Sequence, residues 1–210
     1  IQIHQGQNQI AVVGTTLPTM LSVLVRNTAN TAVTNAVIDW EIISGSGGSL
    51  SAASSVTNAN GIAEISYTLG TVAEAHVIRA KVQGTLYSVD FNITAKADVV
   101  SSLVISTPPA TATAGTDFSL SVTAKDTYNN TVLDYPGTIS LTSIDGQAVL
   151  PAASTLTNGA KSFNINLRTA GNQTVTFGDG SLSVATGNIL VNPGTAQIVI
   201  TQGNNQSGYR

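Results

Sequence analysis

The feature that most restricts what this chain can become is a period of two. Apolar and polar residues alternate through Ala63, Ile65, Tyr67 and Leu69, through Phe118, Leu120, Val122 and Ala124, and through Phe163, Ile165 and Leu167. Side chains on a strand point to opposite faces in turn, so such runs read as half-buried β-strands; a helix would repeat every 3.6 residues. Helical spacing is nearly absent. Met20–Val25 places Leu21, Val23 and Val25 on one face, and Ala36–Ile43 does the same with Ile38, Trp40 and Ile42. Ala75–Val82 and Tyr87–Ala95 follow, and the second half adds Ile139 with Leu141, Val175 with Phe177, and Ile189 with Val191. Turn residues separate the runs at Asn27–Thr31, Ser44–Ser49, Asn58–Gly61, Ala114–Thr116, Asn129-Asn130 and Asn158-Gly159. The expected class is all-β, built as β-sandwiches.

The 210 residues suffice for two units of ~100 residues, each able to close one two-layer core of immunoglobulin-like size. The opening stretch, Ile1-Gln-Ile-His-Gln-Gly-Gln-Asn-Gln9, returns as Ile198-Val-Ile-Thr-Gln-Gly-Asn-Asn-Gln206. A segment that recurs after two units marks an array of repeats. The expectation is therefore two tandem immunoglobulin-like β-sandwich domains, 1–95 and 96–194. Residues 195–210 would supply the first strand of a further repeat. The chain starts at Ile1 and stops inside that repeat, so it reads as an excerpt of a longer protein. Lys96–Ser101 is expected to join the domains, and it lacks the glycine or proline of a loose joint.

Charged residues make up only 9% of the chain, against ~25% in an ordinary domain, so uncharged polar side chains must form the solvent face. A net charge of −3 with eight scattered Lys and Arg argues against nucleic acid as a partner. No apolar run approaches ~18 residues, so no membrane insertion is expected of this fragment. There is no cysteine, which leaves neither a disulfide between sheets nor a thiolate metal site.

Residues with chemistry are few. His4 and His76 are the two histidines, each in an expected strand and without a carboxylate cluster, so packing or surface roles are expected. No Gly-x-Ser-x-Gly elbow is present. Asp39 and Glu41 share a strand face opposite Trp40, where a solvated face is the plainer reading than a glycosidase pair. Asp126, Asn129 and Asn130 form the candidate ligand loop: their oxygens could gather around calcium, although a plain turn explains them as well. Asp98 could assist such an ion. No other cofactor is expected. Lys81, Lys125 and Lys161 are the candidates for an isopeptide staple, with solvent-facing lysines as the simpler reading. Alternation places Trp40, Tyr67 and Tyr87 in the core and leaves Tyr128 and Tyr135 as the exposed aromatics.

The first unit resembles the bacterial immunoglobulin-like group 1 domains of intimin and invasin adhesins. Gln5-Gly-Gln-Asn-Gln9, Val13-Gly-Thr-Thr-Leu-Pro18, Leu21-Ser-Val-Leu-Val25, Asn35-Ala-Val-Ile-Asp-Trp-Glu41, Thr57-Asn-Ala-Asn-Gly-Ile-Ala63 and Thr68-Leu-Gly70 carry the resemblance in order. Asn27-Thr-Ala-Asn-Thr31 departs from it, where the family commonly has Asp and a Gly-Asn turn. The second unit is similar to immunoglobulin-like repeats of large exported bacterial proteins, through Ala114-Gly-Thr-Asp-Phe118, Val122-Thr-Ala-Lys-Asp126, Asn130-Thr-Val132 and Thr169-Ala-Gly171. The resemblance implies a cell-surface or secreted setting, a role in spacing or adhesion, and no catalytic residue; a spacing repeat of an adhesin is the expected function, with neighbouring repeats of the same chain as partners. Two alternatives stand beside it. One is a module that itself binds a host or bacterial surface glycan or protein through Ser44–Ser49 or Asp126–Thr131. The other is an accessory module of a polysaccharide-degrading enzyme or phage fibre.

Overall fold

The structure is a computed structural model that describes residues 1–195, and every regular element among them is a β-strand. The expected further repeat, but for Thr195, lies outside the described residues. The first ten strands are β1 (Gln2–Gln5), β2 (Ile10–Val12), β3 (Leu21–Leu24), β4 (Val37–Ser44), β5 (Ser49–Leu50), β6 (Ser54–Val56), β7 (Ile62–Ile65), β8 (Tyr67–Thr68), β9 (Ala75–Val82) and β10 (Ser88–Lys96). They form a sheet β1-β3-β7, a sheet β2-β10-β9-β4-β6 and a ribbon β5-β8. The β2–β10 pairing is parallel, with Ile10 opposite Thr94, and the others are antiparallel.

The opening motif is a switch between sheets. β1 pairs with β3, and five residues later β2 pairs with β10. Gly6 at φ 90° and Asn8 at φ 58° turn the chain. A Cβ on Gly6 would lie 2.7 Å from the Met20 carbonyl oxygen, so that position accepts only glycine. The glutamines then replace ladder bonds that the crossover loses. Gln9 Nε2 donates to Gly6 O (3.0 Å) and Thr19 O (2.8 Å), while its Oε1 accepts from Thr19 N (3.0 Å). Gln7 Oε1 accepts from Asn92 N (2.7 Å).

Alternation decides the core. Leu21 and Val23 of β3, with Ala63 and Ile65 of β7, face Ile38 and Trp40 of β4, Ile78 and Ala80 of β9, and Phe91 and Ile93 of β10; all are buried. The Trp40 ring lies 5.8 Å from that of Phe91 and its Nε1–H donates to Ser55 Oγ (2.8 Å), so the buried indole is satisfied. Asp39 and Glu41 take the other face of β4, opposite Lys81 and Arg79.

The remaining strands are β11 (Ser102–Ile105), β12 (Thr111–Thr113), β13 (Asp117–Lys125), β14 (Thr138–Ser143), β15 (Ser154–Thr155), β16 (Ala160–Asn166), β17 (Gly171–Gln173), β18 (Val175–Gly178), β19 (Ser183–Ala185) and β20 (Ile189–Asn192). Their sheets run β11-β13-β16, β12-β20-β17 and β15-β14-β18-β19. The parallel pair returns, with β12 beside β20. Leu120, Val122, Ile139, Phe163, Ile165, Leu167, Val175, Phe177, Ile189 and Val191 are buried, and Phe163 meets Phe177 edge to face at 5.9 Å. By contact density the described chain falls into two compact units. The first comprises 1–102, 124–135 and 157–159; the second comprises 103–123, 136–156 and the residues from 160 onward.

Two aromatic assignments are corrected. Tyr87 is 72% exposed, because β10 begins one residue later and Tyr87 sits on the β9–β10 hairpin, past the covered part of the sheet. Tyr135 is 6% exposed, so it is buried where solvent was expected. Alternation gives the side of a strand but not where the opposite layer stops. Tyr128, at 48%, is exposed as expected.

Candidate functional site

Asp126 follows β13 directly, with its carboxylate turned back on its own loop. Oδ1 accepts from Tyr128 N (2.9 Å) and Asn130 N (2.8 Å); Oδ2 accepts from Asp98 N (3.0 Å) and Asn130 Nδ2 (2.9 Å). Asn129 contributes through its backbone, held at φ 67°, and its carbonyl accepts from Lys125 Nζ (3.2 Å). Asn130 reaches outward to a stretch of main chain: Nδ2 donates to Thr71 O (2.8 Å) and Oδ1 accepts from Ala73 N (2.9 Å). The structure thus brings Asp126, Asn130 and Asp98 together and leaves the Asn129 side chain out. Burial pushes the Asp126 carboxyl up, but hydrogen bonds from Asn130, Asp98 and Tyr128 outweigh it and hold the carboxyl below its ordinary value. A hard cation needs clustered oxygens, and here each carboxylate oxygen already faces two N–H donors that an ion would have to displace. Among the described residues no three His, Cys, Asp or Glu side chains stand close enough to hold a metal.

The same turn occurs in the first half. Asn27 Oδ1 accepts from Ala29 N (3.0 Å) and Thr31 N (3.0 Å), Asn30 sits at φ 60°, and Arg26 Nη1 donates to Asn30 O (2.9 Å). Arg26-Asn-Thr-Ala-Asn30 and Lys125-Asp-Thr-Tyr-Asn129 share the order basic, Asx, Thr, any residue, Asn. The basic side chain caps the left-handed Asn in both. Asn27 thus closes its turn as Asp126 closes the other, since an amide oxygen accepts the same two backbone bonds as a carboxylate oxygen. This shared pattern was legible in the sequence and is the signal that the strand-based reading passed over.

Beside Asn130, within the first unit, lies an open cavity of about 540 Å³ whose lining includes Glu74, Thr94, Lys96, Asn130, Leu133 and Asp134. Of the isopeptide candidates, Lys125 belongs to the Asp126 turn and the other two lie elsewhere. Lys81 stands opposite Asp39, Lys125 binds Asn129 O and Thr131 Oγ1, and Lys161 donates to Ser154 Oγ.

The second candidate loop, Ser44–Ser49, folds inward. A Cβ on Gly45 would stand 2.0 Å from His76 Nδ1, and one on Gly48 would stand 1.9 Å from Tyr67 Oη. Glycine lets the loop backbone lie directly on the buried Tyr67 Oη···His76 Nδ1 bond of 2.8 Å. Ser46 N donates to Glu74 Oε1 (2.5 Å), which lowers the Glu74 pKa. Burial lowers the His76 pKa, with Glu74 opposing, and raises that of the Tyr67 hydroxyl. His4, by contrast, lies exposed on β1.

No family model matches the chain, and neither does any curated protein. Solved structures do match. The Escherichia coli adhesin FdeC is 18% identical over 92% of this chain, with a TM-score of 0.63. InvD of Yersinia pseudotuberculosis is 17% identical over 96% of it, with a TM-score of 0.60. The matches take in 63% and 58% of those two chains, so this chain spans less than two thirds of either. At such identities the likeness is one of fold. The chain shares with these proteins a tandem immunoglobulin-like sandwich fold, the class expected from its sequence.

Proposed function

We propose that this chain is a structural repeat of a bacterial surface or secreted adhesin, and that it spaces a binding region carried elsewhere in the protein. One observation supports this above the rest. The two loops best placed for recognition spend their polar groups on the chain itself: Asp126 accepts four N–H bonds, Asn130 grips Thr71 and Ala73, and Ser44–Ser49 lies on Tyr67 and His76. Binding loops present unfilled donors and acceptors, whereas satisfied loops hold geometry; the exposed Tyr128 is the single aromatic anchor these two loops offer. The fold shared with an adhesin named as such, FdeC, agrees with the setting. Neighbouring repeats are then the partners, the cell exterior is the location, and no reaction is catalysed.

The second reading, a ligand-binding module, draws on the cavity beside Asn130. Titration of the fragment onto a glycan array and onto host and bacterial cells separates the two. No saturable binding is expected at high concentration. Saturable binding that Asn130→Ala or Leu133→Ser abolishes, in a variant that still folds, would make the chain the adhesive element.

A further inference from the structure

We propose that His76 is an acid-sensitive latch for the Ser44–Ser49 loop: its protonation lifts the loop from the Tyr67–His76 pair while the sandwich beneath stays folded. His76 is fully buried on β9, opposite Ile93 of β10, with its ring edge-on to Tyr67 at 5.7 Å. Nδ1 meets the Tyr67 hydroxyl and Nε2 has no partner. A neutral imidazole tolerates this, since it carries one N–H and one lone pair. An imidazolium carries an N–H on both nitrogens, and the one on Nε2 would be a buried, unpaired, charged donor. The closed loop therefore resists the proton, while an opened loop lets water reach the ring.

The loop is the part that yields. It consists of serine and glycine, so lifting it exposes no apolar side chain of its own. It is held by the Ser46–Glu74 bond, by the short β5–β8 ribbon, and by its fit over Gly70, where a Cβ would lie 1.8 Å from Ser46 O. β9 by contrast is locked between β4 and β10 over nearly its whole length. The titratable groups facing His76 are Tyr67 from β8 and Glu74 from the residue just before β9. Opposite it on β10, Ile93 is flanked by Asn92 and Thr94, and the nearby end of β4 is Ile42 to Ser44, so neither strand brings a charge. Arg79, Asp90 and Glu41 lie further along the sheet and act on one another. Glu74 keeps its charge until well below the pH at which a free histidine titrates.

The sign follows from linkage. Burial holds the closed-state value of His76 below 6.5, so the closed loop has its full stability above about pH 6.5 and loses it as pH falls. Between the open-state and closed-state values each pH unit lost favours opening, by at most about tenfold for a single proton. The test is amide hydrogen exchange followed by NMR from pH 7 to 5, read as protection relative to the intrinsic rate. Protection at Ser46 should fall below pH 6.5, by at most about tenfold per unit, while Ile78 and Phe91 amides hold. His76→Gln should flatten the slope; Glu74→Gln should lower protection at every pH and leave the slope. The His76 ring-carbon shift in the unaltered chain should titrate where Ser46 protection is lost, which serves if His76→Gln fails to fold. A flat Ser46 profile, an unchanged slope in His76→Gln, or Ile78 and Phe91 falling in step with Ser46 would each overturn the latch.

Discussion

At the scale of single residues, the chain stakes stability on a few buried polar side chains. Asp145 is 4% exposed and accepts from Arg168 N (2.6 Å), Thr169 N (3.0 Å), Thr169 Oγ1 (2.6 Å) and Gln147 N (2.9 Å). Burial alone would raise its pKa, but these four bonds win and bring it to about 2. Its contribution is thus complete above about pH 3.8 and disappears as pH falls through 2. Asp145→Ala strands those donors and should cost roughly 2–3 kcal/mol in urea unfolding at pH 7. Gly48→Ala drives a methyl onto the Tyr67 hydroxyl and should cost roughly 3 kcal/mol, with a matching drop in Tm. Neither site was visible in the sequence. Asp145 looks like any loop carboxylate and Gly48 like a residue of a slack glycine-serine stretch, because burial and close approach are not written in local composition.

At the scale of elements, one device recurs: an Asx side chain that closes its own turn. Asp126 and Asn27 do it in equivalent places, and Asn58 repeats it by accepting from Asn60 N (2.9 Å) and Ile62 N (3.1 Å). The two equivalent turns should differ in cost. Asn27 is exposed, so Asn27→Ala should lose about 1 kcal/mol, whereas Asp126→Ala abandons four donors in a buried site and should lose roughly 2–3 kcal/mol. Chemical denaturation of the two variants checks the order. The crossover at Gly6–Gln9 gives a further case. Gln9→Ala removes three bonds that tie β1's exit to the Thr19 turn and should cost about 1 kcal/mol. The motif that marked the chain as repetitive was legible at once. Its reason was not, because the glutamine partners lie at Thr19 and Asn92, remote in sequence.

At the scale of the molecule, cohesion comes from apolar layers and main-chain pairing, with little from charge. Arg79–Asp90 is the one ion pair among the described residues, and both side chains are more than a third exposed. Surface pairs of this kind contribute little and salt screens them. Tm should therefore move by less than about 2 °C between low salt and 0.5 M NaCl, a point for calorimetry. The sequence by itself determined the class and most of the core. Period-two alternation leaves each strand one apolar face, and such faces can be buried only by stacking sheets. Tertiary structure decided what depends on where a layer ends and what lies across it. It exposed Tyr87 and covered Tyr135, and it enclosed His76 beneath Gly45, 31 residues away in the chain. It also filled the Asp126 carboxylate with donors from Asp98 to Asn130. The cover over His76 and the Asp98 bond to Asp126 join segments far apart in sequence, and a local pattern carries no record of them.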